Sequence, residues 1–199
     1  WDYKRFPEHN GVDVTTLTEN DYMTDVLSRE GVRFIKESAT TKDPFFLFMS
    51  YNAPHTVLAA TEEDLAKFPN LAGKRQTYAA MVYALDRGVG ELVDALKASG
   101  KYDNTLIVFL SDNGGRTDQG ASNHPLQGGK GDTTEGGYRT PMFFHWPQVI
   151  KPDQRYDHPV TALDFYPTFA RLAGAQVPVD KQLDGKDIWD AFLAGRSAR

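Results

Sequence analysis

The sequence Thr105-Leu106-Ile107-Val108-Phe109-Leu110 runs directly into Ser111-Asp112-Asn113-Gly114-Gly115. The first six residues are mostly apolar, half of them are β-branched, and the run is too short for a typical helix. This pattern predicts a strand that is buried on both faces. Ligands bind at the carboxyl ends of strands in open α/β sheets. The polar residues after Leu110 are therefore the first candidates for a functional site.

A second apolar run, Phe45 to Met49, is followed in the same way by Ser50-Tyr51-Asn52-Ala53-Pro54-His55-Thr56. Between the two runs, residues 76–99 repeat apolar side chains at helical spacing. Further helices are predicted at 20–38, 62–68, 163–173 and 187–193, and a third strand at 141–146. Apolar strands separated by helices predict an α/β fold with a mostly parallel sheet flanked by helices. Both polar junctions would then lie at one edge of that sheet.

Composition narrows the class of protein. The chain has 199 residues, a net charge of -5 and no cysteine. Its length fits one domain, its negative charge argues against nucleic acid as the main partner, and disulfides and thiolate zinc sites are excluded. No apolar run is long enough to span a membrane. With no initiator Met and no signal segment, the chain is interpreted as part of a longer protein whose location cannot be read directly.

Asp112 and Asn113 are the candidate metal ligands. They offer a carboxylate and an amide oxygen, the hard ligands that Ca²⁺ and Mg²⁺ prefer. Asp-Asn-Gly is also favourable turn chemistry, so a simple Asx turn is the alternative. Because calcium takes 6–8 oxygens, this stretch would supply only part of a site.

His55 is a candidate donor to a bound anion, or a general acid for a leaving oxygen. The alternative is an ordinary surface histidine, since the residue lies in a predicted loop. His124 is a weaker candidate of the same kind and is predicted to contact substrate.

The segment from Pro125 to Pro141 contains five glycines around Lys130, Glu135 and Arg139. Glycines permit close backbone approach, so this loop could wrap an anion and direct Lys130 toward it. The alternative is a flexible, solvated loop. Glu135 and Arg139 are predicted to pair and support the loop. The glycine spacing does not fit a nucleotide-binding P-loop.

Taken in order, these motifs resemble the type I sulfatases, the formylglycine-dependent group of the alkaline-phosphatase-like superfamily. The likeness covers most of the chain. It is carried by Tyr22-Met23-Thr24-Asp25, Pro44-Phe45-Phe46-Leu47, Asn52-Ala53-Pro54-His55-Thr56, Ser111-Asp112-Asn113-Gly114-Gly115, Gly129-Lys130-Gly131, Glu135-Gly136-Gly137-Tyr138-Arg139-Thr140-Pro141, Asp164-Phe165-Tyr166-Pro167-Thr168 and Leu183-Asp184-Gly185.

The resemblance implies metal-assisted hydrolysis of a sulfate ester, on a glycan or an aryl sulfate. Asp112 and Asn113 would be two ligands of an active-site Ca²⁺ or Mg²⁺. His55 and Lys130 would contact the sulfate oxygens and assist departure of the alcohol oxygen. A periplasmic or secreted location is also implied by the family.

The chain departs from the family pattern in its nucleophile. The formylglycine precursor motif, C-x-P-x-R or S-x-P-x-R, does not occur in these 199 residues. Residues 1–199 are therefore interpreted as a partial sulfatase catalytic domain, without its nucleophile region and its C-terminal subdomain. We expect the isolated chain to be inactive, and its incomplete sheet to favour self-association or a complementing chain.

Two other functions remain open from the sequence. A phosphodiesterase or phosphonate hydrolase of the same superfamily would share the metal and the anion chemistry. A non-catalytic module that binds an anionic glycan or completes a partner would need no chemistry at all.

Overall fold

The structure, a computed structural model, describes residues 8–9, 12–13, 18, 21–180 and 182–199. The chain divides into two compact units, Trp1–Trp146 and Pro147–Arg199. In the first unit, strands β1 (Glu8–His9) and β2 (Val12–Asp13) form a short antiparallel hairpin. Among the described residues, no helix is long and apolar enough to cross a membrane.

Two long helices form the body of the first unit. Helix α1 spans Met23–Ser38 and helix α3 spans Gly73–Ala98, with α2 (Glu62–Ala66) between them in sequence. The helices pack closely at Gly88, where an added Cβ would lie 2.1 Å from Ser28 Oγ. Glycine at this position therefore sets how near α3 can approach α1.

The core of the first unit is built on Ile35, Ala95 and Leu96, which are all buried. Partly buried side chains from α1, α3 and the segments that follow them pack against it: Val32, Phe45, Leu47, Leu92, Tyr102 and Ile107. The two apolar runs of the sequence thus meet over one core. Met81 on α3 is also buried.

Phe45 to Met49 do not form the strand predicted from the sequence, and the prediction that both faces are buried is wrong. Phe45, Leu47 and Met49 are partly buried, whereas Phe46 and Phe48 are 73% and 77% exposed. This alternation is the period of a strand with one covered face. A strand also needs a hydrogen-bonded neighbour, and none is assigned to this run among the described residues.

The mostly parallel sheet is not confirmed. Strand β3 (Ile107–Leu110) pairs with β4 (Met142–His145) in an antiparallel register that aligns Leu110 with Met142. Phe109 and Phe143 stack across the pair, with ring centroids 5.1 Å apart. All four β3 residues are partly buried, so the expected full burial is not reached. The ladder fixes where β3 ends and therefore where Asp112 begins its turn.

A buried carboxylate joins helices α1, α2 and α3. Asp64 on α2 is fully buried and pairs with Arg87 on α3, which also contacts Asp25 on α1 at 2.6 Å. Thr61 caps α2 by accepting a hydrogen bond from the Asp64 N–H at 3.2 Å. A buried carboxylate left without its cation is strongly destabilising, so Arg87 holds the helices in register.

The second unit contains helices α5 (Phe165–Leu172) and α6 (Trp189–Leu193). Asp164 is fully buried before α5. Its carboxylate accepts hydrogen bonds from the Thr161 N–H at 2.9 Å, the Lys186 N–H at 2.9 Å and the Arg199 guanidinium at 2.6 Å. Burial raises the pKa of this carboxyl, but the hydrogen bonds together lower it by more. Its pKa therefore lies below the ordinary value. With Thr161, Asp164 forms a capping box on the 3-10 turn Ala162–Asp164 that precedes α5.

Candidate active site

The turn after β3 presents the two predicted metal ligands. Asp112 is exposed and Asn113 is partly buried. The Asn113 side-chain nitrogen donates to the Gly114 carbonyl at 3.1 Å, and Ser111 Oγ donates to the Asn113 carbonyl at 3.0 Å. These bonds differ from those of the Asx turn that was the alternative interpretation, because in an Asx turn the side-chain oxygen accepts a backbone N–H. Metal binding by Asp112 and Asn113 remains a prediction.

The backbone of this turn touches the glycine-rich loop directly. The Gly114 N–H donates to the Gly137 carbonyl at 2.8 Å, and an added Cβ at Gly114 would lie 1.7 Å from the Gly136 carbonyl oxygen. Only a residue without a side chain allows this approach. Gly136 and Gly137 lie within a short helix, α4 (Glu135–Tyr138), and both are buried. The loop is therefore packed at these glycines, whereas residues 130–135 are exposed.

Asn123 connects the two segments through its side chain. Its Oδ1 accepts from the Gly115 N–H at 2.8 Å, and its Nδ2 donates to the Gly115 carbonyl at 2.8 Å and to the Gly128 carbonyl at 3.0 Å. Sequence reasoning missed this residue. The only available signal was a polar amide between two glycine-rich stretches, a pattern that is equally typical of a surface turn.

Lys130 lies next to the same backbone. Its N–H donates to the Gly115 carbonyl at 3.4 Å, and its side chain is exposed. The neighbouring Gly129 N–H donates to Asp132 Oδ2 at 2.8 Å, which shapes the turn. The structure therefore brings Lys130 beside the turn that carries Asp112 and Asn113.

A cavity of about 650 Å³ opens beside Lys130. His124 lines it, as do Asn123 and the residues around Arg116 and Asp118. Its size falls within the range of small-molecule sites. The Arg116 guanidinium holds the pKa of Asp118 down at about 2, with a second hydrogen bond from Gln119 contributing.

Glu135 and Arg139 form an ion pair at 3.4 Å along α4, and both side chains are more than half exposed. Exposed pairs of this kind are worth about 0–1 kcal/mol. The glycine contacts and Asn123 also hold the loop. Support of the loop by this ion pair therefore remains a prediction.

His55 lies in a separate loop, where its N–H donates to the Asn52 carbonyl at 2.8 Å. Its Nδ1 contacts the Thr56 carbonyl oxygen at 2.7 Å. Because a carbonyl oxygen only accepts, Nδ1 carries the hydrogen, and Nε2 is the nitrogen left for a ligand. The predicted meeting of His55 with Asp112 remains a prediction.

The donor atoms of the predicted metal site can be compared with those that a hard divalent ion requires. Within the part of the chain that the structure describes, no three His, Cys, Asp or Glu side chains gather as a metal cluster. Asp112 and Asn113 fit a hard divalent ion in donor type, and would account for two of the oxygens that it needs. They therefore fit as one part of such a site.

The fold is an α/β arrangement in which the turn after β3 lies beside the glycine-rich loop that carries Lys130. The Sulfatase family model matches residues 1–175, and the chain belongs to the sulfatase family.

Curated relatives share this assignment. The chain is 37% identical to the uncharacterized sulfatase YdeN of Escherichia coli K12 over 84% of this chain and 30% of the relative. It is 35% identical to human steryl-sulfatase, over 90% of this chain and 31% of that protein. The chain thus spans about a third of the length of these relatives.

Solved structures agree on the fold. A structure of Ps i-CgsB in complex with k-i-k-neocarrahexaose is 55% identical, with a TM-score of 0.89 over 96% of this chain and 42% of that chain. The sulfatase yidJ of Bacteroides fragilis, described as putative, has a TM-score of 0.75 at 24% identity, a likeness of fold alone.

Proposed function

We propose that this chain forms the metal-binding and anion-binding edge of an enzyme that hydrolyses a sulfate ester. The observation that carries the proposal is the contact between two segments distant in sequence. The Gly114 N–H binds the Gly137 carbonyl, and the Lys130 N–H binds the Gly115 carbonyl. A carboxylate, an amide oxygen and an ammonium group are thereby supported by one packed backbone, as expected for a site that binds a tetrahedral anion.

The proposed chemistry is electrostatic. Cleavage of a sulfate ester develops negative charge on the sulfate oxygens and on the departing alcohol oxygen. Lys130 would bind the sulfate oxygens, and His55, protonated on both ring nitrogens, would donate its Nε2 proton to the leaving oxygen. When bound, a divalent ion held partly by Asp112 and Asn113 would polarise the sulfate group. No nucleophile is assigned among the described residues.

We further propose a glycan as the substrate class. The 55% identical structure carries an oligosaccharide, k-i-k-neocarrahexaose. The cavity beside Lys130, at about 650 Å³, has room for more than one ester group.

The test uses the complete gene product that contains these residues, with matched sulfate and phosphate esters. Asp112→Ala and Lys130→Ala should each lower kcat/KM for the sulfate ester by about 10²–10³-fold. Matched controls at exposed positions, Asp103→Ala and Lys36→Ala, should stay within twofold of the parent. A preference for the phosphate ester would favour a phosphoester hydrolase. Binding of an anionic glycan without turnover would indicate a non-catalytic module.

A further inference from the structure

The turn that lines the cavity opposite Lys130 is built around one arginine. Arg116 contacts Asp118 through both Nε, at 2.9 Å to Oδ1, and Nη2, at 2.5 Å to Oδ2. Both side chains line the cavity and are about half exposed, at 49% and 57%. A guanidinium has five N–H donors. The two bonds to Asp118 fix its plane and leave three donors for a ligand.

The surroundings of this turn are positively charged. Lys74 Nζ donates to the Asp118 carbonyl at 3.2 Å, and Arg75 Nη1 donates to the Gly120 carbonyl at 2.5 Å. Arg116 and Lys130 line the cavity together with the carboxylates of Asp118 and Asp132. Although the whole chain carries a net charge of -5, the turn itself gathers Lys74, Arg75 and Arg116 around one carboxylate, Asp118, which favours an anionic ligand there.

The backbones of Arg116 and Lys130 are also held close to each other. Arg116 follows Gly115 directly, and the Gly115 carbonyl accepts the hydrogen bond from the Lys130 N–H. The Asn123 side chain holds Gly115 on both its backbone groups. One ligand in the cavity could therefore contact both cations, with one anionic group at each.

We propose that the cavity binds a second anionic group of the substrate through Arg116, while Lys130 binds the sulfate that is cleaved. The substrate class is then an oligosaccharide with at least two sulfate groups, rather than a simple aryl sulfate. This inference rests on the proposed function for the role of Lys130. Binding by Arg116 itself can be measured without turnover.

The experiment compares the complete gene product with its Arg116→Gln and Arg116→Lys variants. Binding of a disulfated and a monosulfated disaccharide is measured by calorimetry, and hydrolysis of both and of an aryl sulfate by steady-state kinetics. Arg116→Gln should weaken binding of the disulfated sugar and raise its KM about tenfold or more, because charge-assisted bonds are lost. Its effect on the monosulfated sugar and the aryl sulfate should stay within twofold. Arg116→Lys keeps the positive charge but loses the planar, two-pronged hydrogen bonding of the guanidinium. Its affinity for the disulfated sugar should lie between those of the parent and Arg116→Gln.

The control is Arg33→Gln on α1, an arginine that is likewise ion-paired, with Glu30 and Glu37. It should leave both sugars unaffected, and thermal unfolding checks that each variant is folded. Equal losses for all substrates with Arg116→Gln, or no loss for any, would overturn the inference. If the parent protein binds the disulfated sugar through Arg116 but hydrolyses no sulfate ester, the proposed function fails and the binding site stands.

Discussion

The side-chain amide of Asn123 binds both backbone groups of Gly115, accepting from its N–H and donating to its carbonyl, each at 2.8 Å. The same amide reaches the Gly128 carbonyl at 3.0 Å. Gly115 ends the turn that carries Asp112, and Gly128 lies two residues before Lys130. A single residue thus spans the two segments that carry the proposed chemistry.

Replacing Asn123 should therefore disturb catalysis more than folding. Asn123→Ala removes three hydrogen bonds without changing any reacting group, and a displacement of about 1 Å can cost about 10²-fold in rate. We expect kcat in the complete gene product to fall about 10–100-fold. Asn104→Ala, at an exposed position before β3, is the matched control. An unchanged kcat in Asn123→Ala would show that the segments are held by other contacts.

Gly114→Ala should separate the turn from the glycine-rich loop. Its Cβ would lie 1.7 Å from the Gly136 carbonyl oxygen, which is rigid backbone rather than a movable side chain. We expect a loss of about 1–3 kcal/mol in the free energy of unfolding, measured by urea denaturation. Gly90→Ala on α3 is the control, since nothing lies within 4 Å of its Cβ, and it should be neutral or slightly stabilising. Equal effects of the two substitutions would contradict this prediction.

The stability of the second unit should depend on acid pH through Asp164. The folded state lowers the pKa of this carboxyl, so its contribution is complete above the ordinary value of 3.8 and is lost as pH falls through the lowered pKa. Asp164→Asn should cost about 1.5–3 kcal/mol at pH 7. The difference from the parent should shrink below pH 3.8, as followed by denaturation across pH. Asp103→Asn, at an exposed position, should show no such trend. A constant difference for Asp164→Asn would refute the linkage.

The 199-residue polypeptide alone should not hydrolyse aryl sulfates, because it contains no C-x-P-x-R or S-x-P-x-R motif. It should also bind calcium only weakly, because Asp112 and Asn113 supply a minority of the oxygens required. Calorimetry with Ca²⁺ and a colorimetric assay test both points. Sub-micromolar calcium affinity, or turnover by the purified polypeptide, would contradict them.

The sequence predicted the helices well, because apolar side chains at helical spacing are a local signal. The predicted helix over 76–99 is observed as Gly73–Ala98. The strand prediction failed at Phe45–Met49, because strand pairing and burial depend on a neighbouring strand that local sequence patterns cannot specify. The family resemblance implied that the Lys130 loop and the Asp112 turn serve one site, but it did not predict the hydrogen bond between Lys130 and Gly115. The bonds of Asn123 were not predicted either, since they join groups that no periodicity connects.

Three consecutive residues, 122 to 124, have two different roles. The Asn123 amide bonds with the backbone, whereas its neighbours Ser122 and His124 are exposed and line the cavity. If the proposed function holds, substitutions at these two neighbours would change the surface that meets the substrate without breaking the hydrogen bonds of Asn123. Members of a family that share one reaction could differ in substrate specificity through such positions.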